Sequence, residues 1–451
     1  MDIIDVEHPD GVIVTLGGQT PLKLCQSLQD EGVPIMGTQP DAIDLAEDRE
    51  RFSALLDEMG IDYPESGVAS SLDEAKEVAN RIGYPLLVRP SYVLGGRGMV
   101  IAYDEPYLEN HLAEAARVTE DHPVYLDSFL EDATECDVDA LCDGEDVYIG
   151  AILEHIEEAG IHSGDSACCT PPFSFTKQVM KKLVEDTRTL ALAVKTRGLV
   201  NIQYGVKNGK VYVIEVNPRA SRTVPFVSKA TGVPLAKAAA HLMAGEKIAD
   251  LDLPPEAGRN MTCFACKEAV MPFGRFPGVD VILGPEMKST GEVMGVGDDF
   301  PSAYAKTQLA IDYSLPTKGK VFISVCDRDK RNIVPIAHAL QDMGFEIVST
   351  GGTGRLLKAN GLKVEIIRKM SEQRPNIGDM ISNGEISLLI NIPFGQETRA
   401  DSYHLRSEAV RYSICYVTTL EAANAMTQAI SAVREGRLEP IALQDLPQKD
   451  M

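Results

Sequence analysis

The stretch Val211-Tyr212-Val213-Ile214-Glu215-Val216-Asn217-Pro218-Arg219 reads as the second strand of a hairpin. Side chains alternate along a strand. Glu215 and Asn217 therefore point to one face, with Val211 and Val213 behind them. Carboxylate and amide oxygens are hard donors, suited to Mg²⁺ or Mn²⁺. Arg219 and Arg222 follow at once, and guanidinium groups match phosphate oxygens. The same spacing also fits a solvated strand end with incidental charges. Gln203, on the partner strand, is a candidate third ligand. A two-residue turn at Asn208-Gly209 pairs Lys207 with Lys210, which sets Gln203 opposite Ile214 and out of phase with Glu215. If Gln203 shares the site, the hairpin needs one extra loop residue or a bulge.

Other groupings are less specific. Arg89 precedes the glycine-rich segment Ser91–Gly98, where glycines let backbone approach a phosphate or form a mobile lid. A flexible surface turn reads the same way. His155 and His162 lie in a run rich in acids, without zinc-type spacing, and fit a polar loop lining a ligand cleft. Cys263-x-x-Cys266 and Cys168-Cys169 read as packed thiols. Ser349-Thr350-Gly351-Gly352-Thr353-Gly354 sits between a strand and a helix, where backbone N–H groups form an anion site. Lys330, Lys369 and Asn391 fall after or at the ends of neighbouring strands, which suits a small phosphorylated ligand. A tight turn flanked by surface lysines fits equally well.

The elements that must position these groups follow from pattern. Asp10–Leu16 reads as a buried strand, then a helix from Pro21 to Asp30 and a short strand at Val33–Gly37. This is part of a doubly wound unit whose upstream strand and helix are missing, so the chain is expected to begin inside a domain. Residues 41–60 read as one helix with Asp41 as its N-cap, and 72–82 as another. Strands dominate from 123 to 153. From Lys320 onward strands and helices alternate, which predicts a mostly parallel sheet.

The 451 residues suggest roughly three domains. A net charge of −24 argues against general nucleic-acid binding and against an anionic membrane surface. Apolar runs such as Ile386–Ile392 are far too short to span a bilayer, and the N-terminus has no signal-peptide pattern. Unframed cysteines fit a reducing cytoplasm.

Four strings together resemble the large subunit of carbamoyl phosphate synthetases. They are Val88-Arg89-Pro90-Ser91-Tyr92-Val93-Leu94-Gly95-Gly96-Arg97, His162-Ser163-Gly164-Asp165-Ser166, Glu215-Val216-Asn217-Pro218-Arg219 and Val224–Gly232. The resemblance covers essentially the whole chain but only the C-terminal half of that subunit. It implies an α/β and α+β multidomain fold in three parts. These are a partial, Rossmann-like pre-ATP-grasp segment (1–46), an ATP-grasp domain with connector (47–312), and a parallel α/β, methylglyoxal-synthase-like allosteric domain (313–451). In that family this half phosphorylates carbamate with ATP, for arginine and pyrimidine synthesis. A biotin-dependent carboxylase is set aside, because no biotinyl carrier segment is seen and the C-terminal part is wrong for it.

By position, the resemblance implies that Arg89 binds ATP phosphates. Ser128, Leu130 and Glu135 would contact the adenine and ribose, and Gly160, Ile161, His162 and Ser163 would line the nucleotide. Gln203, Glu215 and Asn217 would hold two divalent cations, Mg²⁺ or Mn²⁺, while Arg219 and Arg222 neutralise the transferring phosphoryl group. Ser324, Lys330, Thr350, Gly352, Thr353, Lys369 and Asn391 match a region that binds UMP or inosinate. After Asn391 stands Ile392-Pro393-Phe394-Gly395, where bacterial relatives often have hydroxyl side chains. Glu157, Asp165, Glu268 and Thr418 match an ornithine site. Implied partners are the N-terminal half of the large subunit and a glutaminase small subunit. The alternative is a non-catalytic, nucleotide-binding regulatory module.

Overall fold

A computed structural model describes residues 1–90, 98–116, 123–256, 261–276, 279–311 and 314–446, without side chains at 113–116 and 395–401. The glycine-rich segment after Pro90 lies mostly outside the described residues. At the N-terminus, β1 (Val12–Ile13) pairs in parallel with β2 (Ile35–Met36). The strand expected over Asp10–Leu16 makes ladder bonds only at these two residues. The helix expected from Pro21 to Asp30 is broken into Gln19–Leu22 and Cys25–Asp30.

The single helix expected over 41–60 is also two, Pro40–Glu47 and Arg49–Met59. Asp48 breaks it: its backbone is extended (φ −78°, ψ 114°) and its side chain accepts the Arg51 N–H, so it caps the second helix. Asp41 lies inside the first helix, whose N-cap is Gln39 with Pro40 next. Strands β3 (Ser66–Ala69), β4 (Leu86–Pro90), β5 (Val100–Ala102) and β6 (Val124–Ser128) form an antiparallel sheet in the order β3-β6-β4-β5. Helix Leu72–Ile82, capped by Ser71, buries Ala75 and Ala79 against Leu86, Val88 and Leu126 of that sheet.

The larger sheet contains β7 (Thr134–Cys142), β8 (Val147–His155), β9 (Cys168–Thr170), β10 (Gly198–Lys207), β11 (Lys210–Asn217), β12 (Phe264–Val270) and β13 (Gly291–Gly297). Its order is β11-β10-β7-β8-β9-β12-β13. One face packs on helix Lys177–Ala193 through Cys136, Val138, Ile202, Tyr204 and Leu183. The other packs on helices Val224–Thr231 and Leu235–Met243 through Leu141, Leu153, Leu199 and Val227. That second face turns polar toward the far ends of β7 and β10.

The C-terminal sheet is parallel throughout, with β14 (Lys320–Val325), β15 (Glu346–Ser349), β16 (Val364–Ile366), β17 (Ile386–Ile392) and β18 (Cys415–Val417). The order is β16-β15-β14-β17-β18. Helix Phe300–Ala310, from the larger-sheet side, packs on helix Leu420–Arg434. One apolar core joins Ile156, Cys169 and Cys266 to Val321, Ile390 and Ala429, so the two sheets share a hydrophobic junction. Cys169 and Cys266 are cross-strand partners, one from each cysteine motif, and all cysteines are free thiols. Among the described residues no helix is long and apolar enough to cross a membrane.

Candidate active site

The hairpin contains a bulge, one of the two departures that would let Gln203 share the site. Lys207 pairs with Lys210 and Tyr204 with Val213, as a plain Asn-Gly turn requires. The register then slips by one, so Gln203 faces Glu215 and Asn201 faces Asn217. Ile214 is the extra residue, and its carbonyl accepts Arg49 Nη1 at 3.3 Å. Strict alternation would set Val211, Val213 and Glu215 on one face. The slip ends that phase. Val211, Val213 and Val216 all enter the apolar core, while Glu215 and Asn217 face away from it.

On the polar side Asn217 Nδ2 donates to Glu215 Oε1 at 2.7 Å, and Arg219 Nη2 donates to Asn217 Oδ1 at 3.1 Å. Gln203 Nε2 donates to Ser163 Oγ at 2.8 Å, which leaves its carbonyl oxygen as the donor atom for a cation. The donor set is one carboxylate with two amide oxygens. Among the described residues no three His, Cys, Asp or Glu side chains cluster as a metal site. Hard oxygens on one strand face fit a magnesium-type ion. Arg222 donates through Nη1 to Ser289 Oγ at 3.1 Å.

The remaining expected residues stand on β4, β6 and β7 and on the loops after β6 and β8. Arg89 on β4 is ion-paired to Asp127 (Nε to Oδ2, 2.9 Å), which also binds Arg49 at 2.6 Å. Ser128 ends β6. Leu130 packs against β10 at Gly205, where a Cβ would sit 2.8 Å from its Cδ1. Glu135 accepts the Gly160 N–H at 2.9 Å, and burial raises its carboxyl to about 6. Gly160 has φ +89°, and a Cβ there would lie 2.6 Å from the Phe129 ring. Gly160 and Ile161 line a cavity of about 140 Å³ with Met99, Ile101, Phe129 and Leu283. The His162 N–H donates to the Gly284 carbonyl at 2.8 Å, and burial lowers the pKa of its imidazole.

A second cavity, of about 460 Å³, lies at the C-terminal ends of β14, β15 and β17. Ser324, Lys330, Thr350, Gly352, Thr353, Lys369 and Asn391 all line it. Met370, Phe394 and Leu405 add apolar wall. The other four residues, Glu157, Asp165, Glu268 and Thr418, are less convergent. Glu157, in the junction, accepts Thr419 Oγ1 at 2.8 Å, and burial raises it to about 8, with Glu268 adding repulsion. Glu268 itself is raised by burial to about 7 and accepts Gln308 Nε2 at 2.7 Å. Asp165 instead caps the Lys288 and Ser289 N–H groups at 2.7 and 2.9 Å. Thr418 is half-buried just beyond β18, and its neighbour Thr419 is the hydroxyl that reaches Glu157.

Three family descriptions match the chain. Residues 1–45 match the carbamoyl phosphate synthase preATP-grasp domain, 48–251 the carbamoyl-phosphate synthase L chain ATP binding domain, and 332–418 the MGS-like domain. The carbamoyl phosphate synthase large chain, C-terminal section, of Aquifex aeolicus is 50% identical over 450 residues, covering 96% of this chain and 84% of that protein. This chain belongs to the carbamoyl phosphate synthase large chain family. The large chain of Archaeoglobus fulgidus is 53% identical over 446 residues, and the match spans 99% of this chain but 41% of that one. Among solved structures, the biotin carboxylase domain of Hydrogenobacter thermophilus 2-oxoglutarate carboxylase aligns with TM-score 0.56 at 17% identity, over 69% of this chain and 75% of that one. Biotin carboxylase from Campylobacter jejuni aligns with TM-score 0.55 at 16% identity, over 69% and 76%. At such identity these two show the shared fold.

In this carbamoyl phosphate synthase large chain homologue, Asp137, Asp139 and Lys267 are buried polar groups that the sequence did not single out, beside the expected Glu135 and His155. On β7, Glu135, Asp137 and Asp139 alternate with core residues and share the face of Gln203 and Asn201, their register partners being Gln203 for Asp137 and Asn201 for Asp139. His155 Nε2 lies 3.1 Å from Asp137 Oδ2. Asp139 accepts Asn201 Nδ2 at 3.0 Å, Ser221 Oγ at 2.8 Å and Thr223 Oγ1 at 2.5 Å, and burial raises it to about 6. It thus clamps both neighbours of Arg222. Lys267 is wholly buried and donates to the Ser163 carbonyl at 3.2 Å. The period-two run Glu135-Cys136-Asp137-Val138-Asp139-Ala140 is the sequence signal for the acidic trio.

Proposed function

We propose that this chain phosphorylates carbamate with ATP, giving carbamoyl phosphate and ADP, as the second half of a glutamine-hydrolysing carbamoyl phosphate synthase large chain. The observation that carries the reading is the slipped register, which brings Gln203, Glu215 and Asn217 to one face beside Arg219. A carbamate oxygen attacks the γ-phosphorus as the bond to the β-phosphate oxygen breaks. The nucleophile is already anionic, so positioning and charge neutralisation suffice. Gln203, Glu215 and Asn217 are the residues to hold Mg²⁺ or Mn²⁺, as two ions, which supply charge neutralisation for the phosphates when bound. Arg219 and Arg222 offset charge on the transferring group, and Arg89 binds phosphate oxygens. Ser128, Leu130, Glu135, Gly160, Ile161, His162 and Ser163 hold the nucleoside and its phosphates.

Residues 1–46, 47–312 and 313–451 act as the pre-ATP-grasp, ATP-grasp and allosteric parts. The C-terminal cavity takes UMP or inosinate, and the Glu157 and Glu268 pair, with Asp165 and Thr418, takes ornithine. The partners are an N-terminal half and a glutaminase small subunit in the cytoplasm. The test is the back reaction: purified chain, Mg-ADP and carbamoyl phosphate, with ATP assayed. ATP formation above a Glu215→Gln control supports the reading. No ATP from a folded sample, with nucleotide bound only at the C-terminal cavity, favours the regulatory module.

A further inference from the structure

Arg406 lies on helix Gly395–Arg411 of the C-terminal sheet and has 0% side-chain exposure. A buried guanidinium is retained only where its donors are matched. Its Nε and Nη2 donate to the two carboxylate oxygens of Asp280 at 2.8 and 2.5 Å, a fork on a residue outside its own domain. Its Nη1 donates to Asn391 Oδ1 at 3.0 Å and to Ser402 Oγ at 2.7 Å. Asn391 lines the C-terminal cavity. One guanidinium therefore ties that cavity to the segment beginning at Asp280.

That segment runs to Ser289 as one braced piece. Lys288 Nζ donates back to the Ile282 carbonyl at 2.7 Å. The Gly284 carbonyl takes the His162 N–H, and the Lys288 and Ser289 N–H groups take both oxygens of Asp165. At its end Ser289 Oγ and Met287 Sδ receive Arg222 Nη1, at 3.1 and 2.8 Å. Arg222 also pairs with Glu292 of β13 (Nε to Oε1, 3.6 Å) and keeps 39% side-chain exposure, so this wall, with that one carboxylate, sets where its guanidinium rests. From this geometry we infer that Arg406 is a positioning residue for Arg222, acting across the domain junction through the segment 280–289. The inference rests on the proposed role of Arg222 in phosphoryl transfer. It also gives a ligand of the C-terminal cavity a physical route to Arg222, because such a ligand meets Asn391, which shares the Arg406 guanidinium.

The experiment is a mutant cycle in the back reaction, with Asp280→Asn and Arg406→Met made alone and in an Arg222→Met background. Each single variant is expected to lower kcat on the order of tenfold, the scale of a modestly misplaced catalytic group, with the KM for Mg-ADP unchanged. Neither is expected to lower it further once Arg222 is gone. An equal loss in both backgrounds is what a general structural defect gives, and it overturns the inference. Arg406→Met risks misfolding, so Asp280→Asn, at a half-exposed site, is the second arm. Hydrogen–deuterium exchange provides a readout that needs no reaction. Faster exchange at 280–289 in Asp280→Asn supports the link, and unchanged exchange overturns it. A wild-type chain that forms no ATP counts against the proposed function, and exchange then decides the inference alone.

Discussion

The polar face on β10 and β11 and the cavity beyond β14, β15 and β17 gather similar side chains by opposite rules. On an antiparallel sheet a side chain reaches its site through alternation, so a shift of one residue sends it to the other face. The slip at Ile214 is therefore decisive: it keeps Val213 and Val216 together in the core and frees Glu215 and Asn217. In the parallel sheet no such precision is needed. Strand order reverses between β14 and β17, and the loops leaving these two strands diverge there, so residues at strand ends converge whatever their phase. A site written in alternation is sensitive to register, and one written in topology tolerates local change.

The sharpest way to break this comparison is Glu215→Gln. ATP formation is expected to fall at least ~100-fold, because a charge on the reacting face is lost from a preorganised site. Binding of UMP or inosinate at the C-terminal cavity, followed by calorimetry, is expected to stay unchanged. A parallel loss there would mean that the two regions are not separately built.

The junction between the two regions has its own signature. The Glu157 carboxyl is raised to about 8 by burial. Its folded pKa exceeds the unfolded one, so its contribution to stability is full below about pH 4.5 and is lost as pH rises to about 8. Glu157→Gln is thus expected to stabilise the chain by about 2 kcal/mol above pH 8. The gap should close toward pH 5 in urea unfolding followed across that range. A pH-independent difference would place the charge elsewhere.

A smaller effect tests the antiparallel side. Gly160→Ala forces a side chain into φ +89° and against Phe129, and is expected to cost about 2 kcal/mol, read as a lower midpoint in chemical denaturation. On the parallel side, Lys330→Ala is expected to weaken binding of a phosphorylated nucleotide by about tenfold, with the melting temperature unchanged. If calorimetry shows equal affinity, the cavity does not use that ammonium for phosphate.

How far the sequence reached differs between these same regions. Ser349-Thr350-Gly351-Gly352 between strand and helix fitted an anion site and a plain tight turn equally well, and the structure places Thr350 and Gly352 with Lys330, Lys369 and Asn391 around one cavity. The hairpin was readable as a hairpin, and its arithmetic already required an extra loop residue or a bulge if Gln203 was to meet Glu215. What it hid was Asp139 and Lys267, because a buried carboxylate or ammonium leaves the same letter as a solvated one. The helix break at Asp48 was hidden too, since a cap and a helical interior differ only in where the neighbouring helix must turn.

Local backbone chemistry is what the sequence determined by itself. Asn208 and Gly209 take φ 53° and 77°, conformations these two residue types adopt at little cost, so the turn is written in its own letters. The period of apolar residues likewise set the strands and the parallel C-terminal sheet. Three things were decided only by tertiary structure: the slip at Ile214, the Arg406–Asp280 fork and the Thr419–Glu157 contact. Each depends on groups far apart in the chain: three valines sharing one core, a guanidinium closed off from water, a carboxyl trapped at a domain junction. Burial selects among local alternatives that the chain leaves nearly equal in energy, and burial exists only once the distant parts have met.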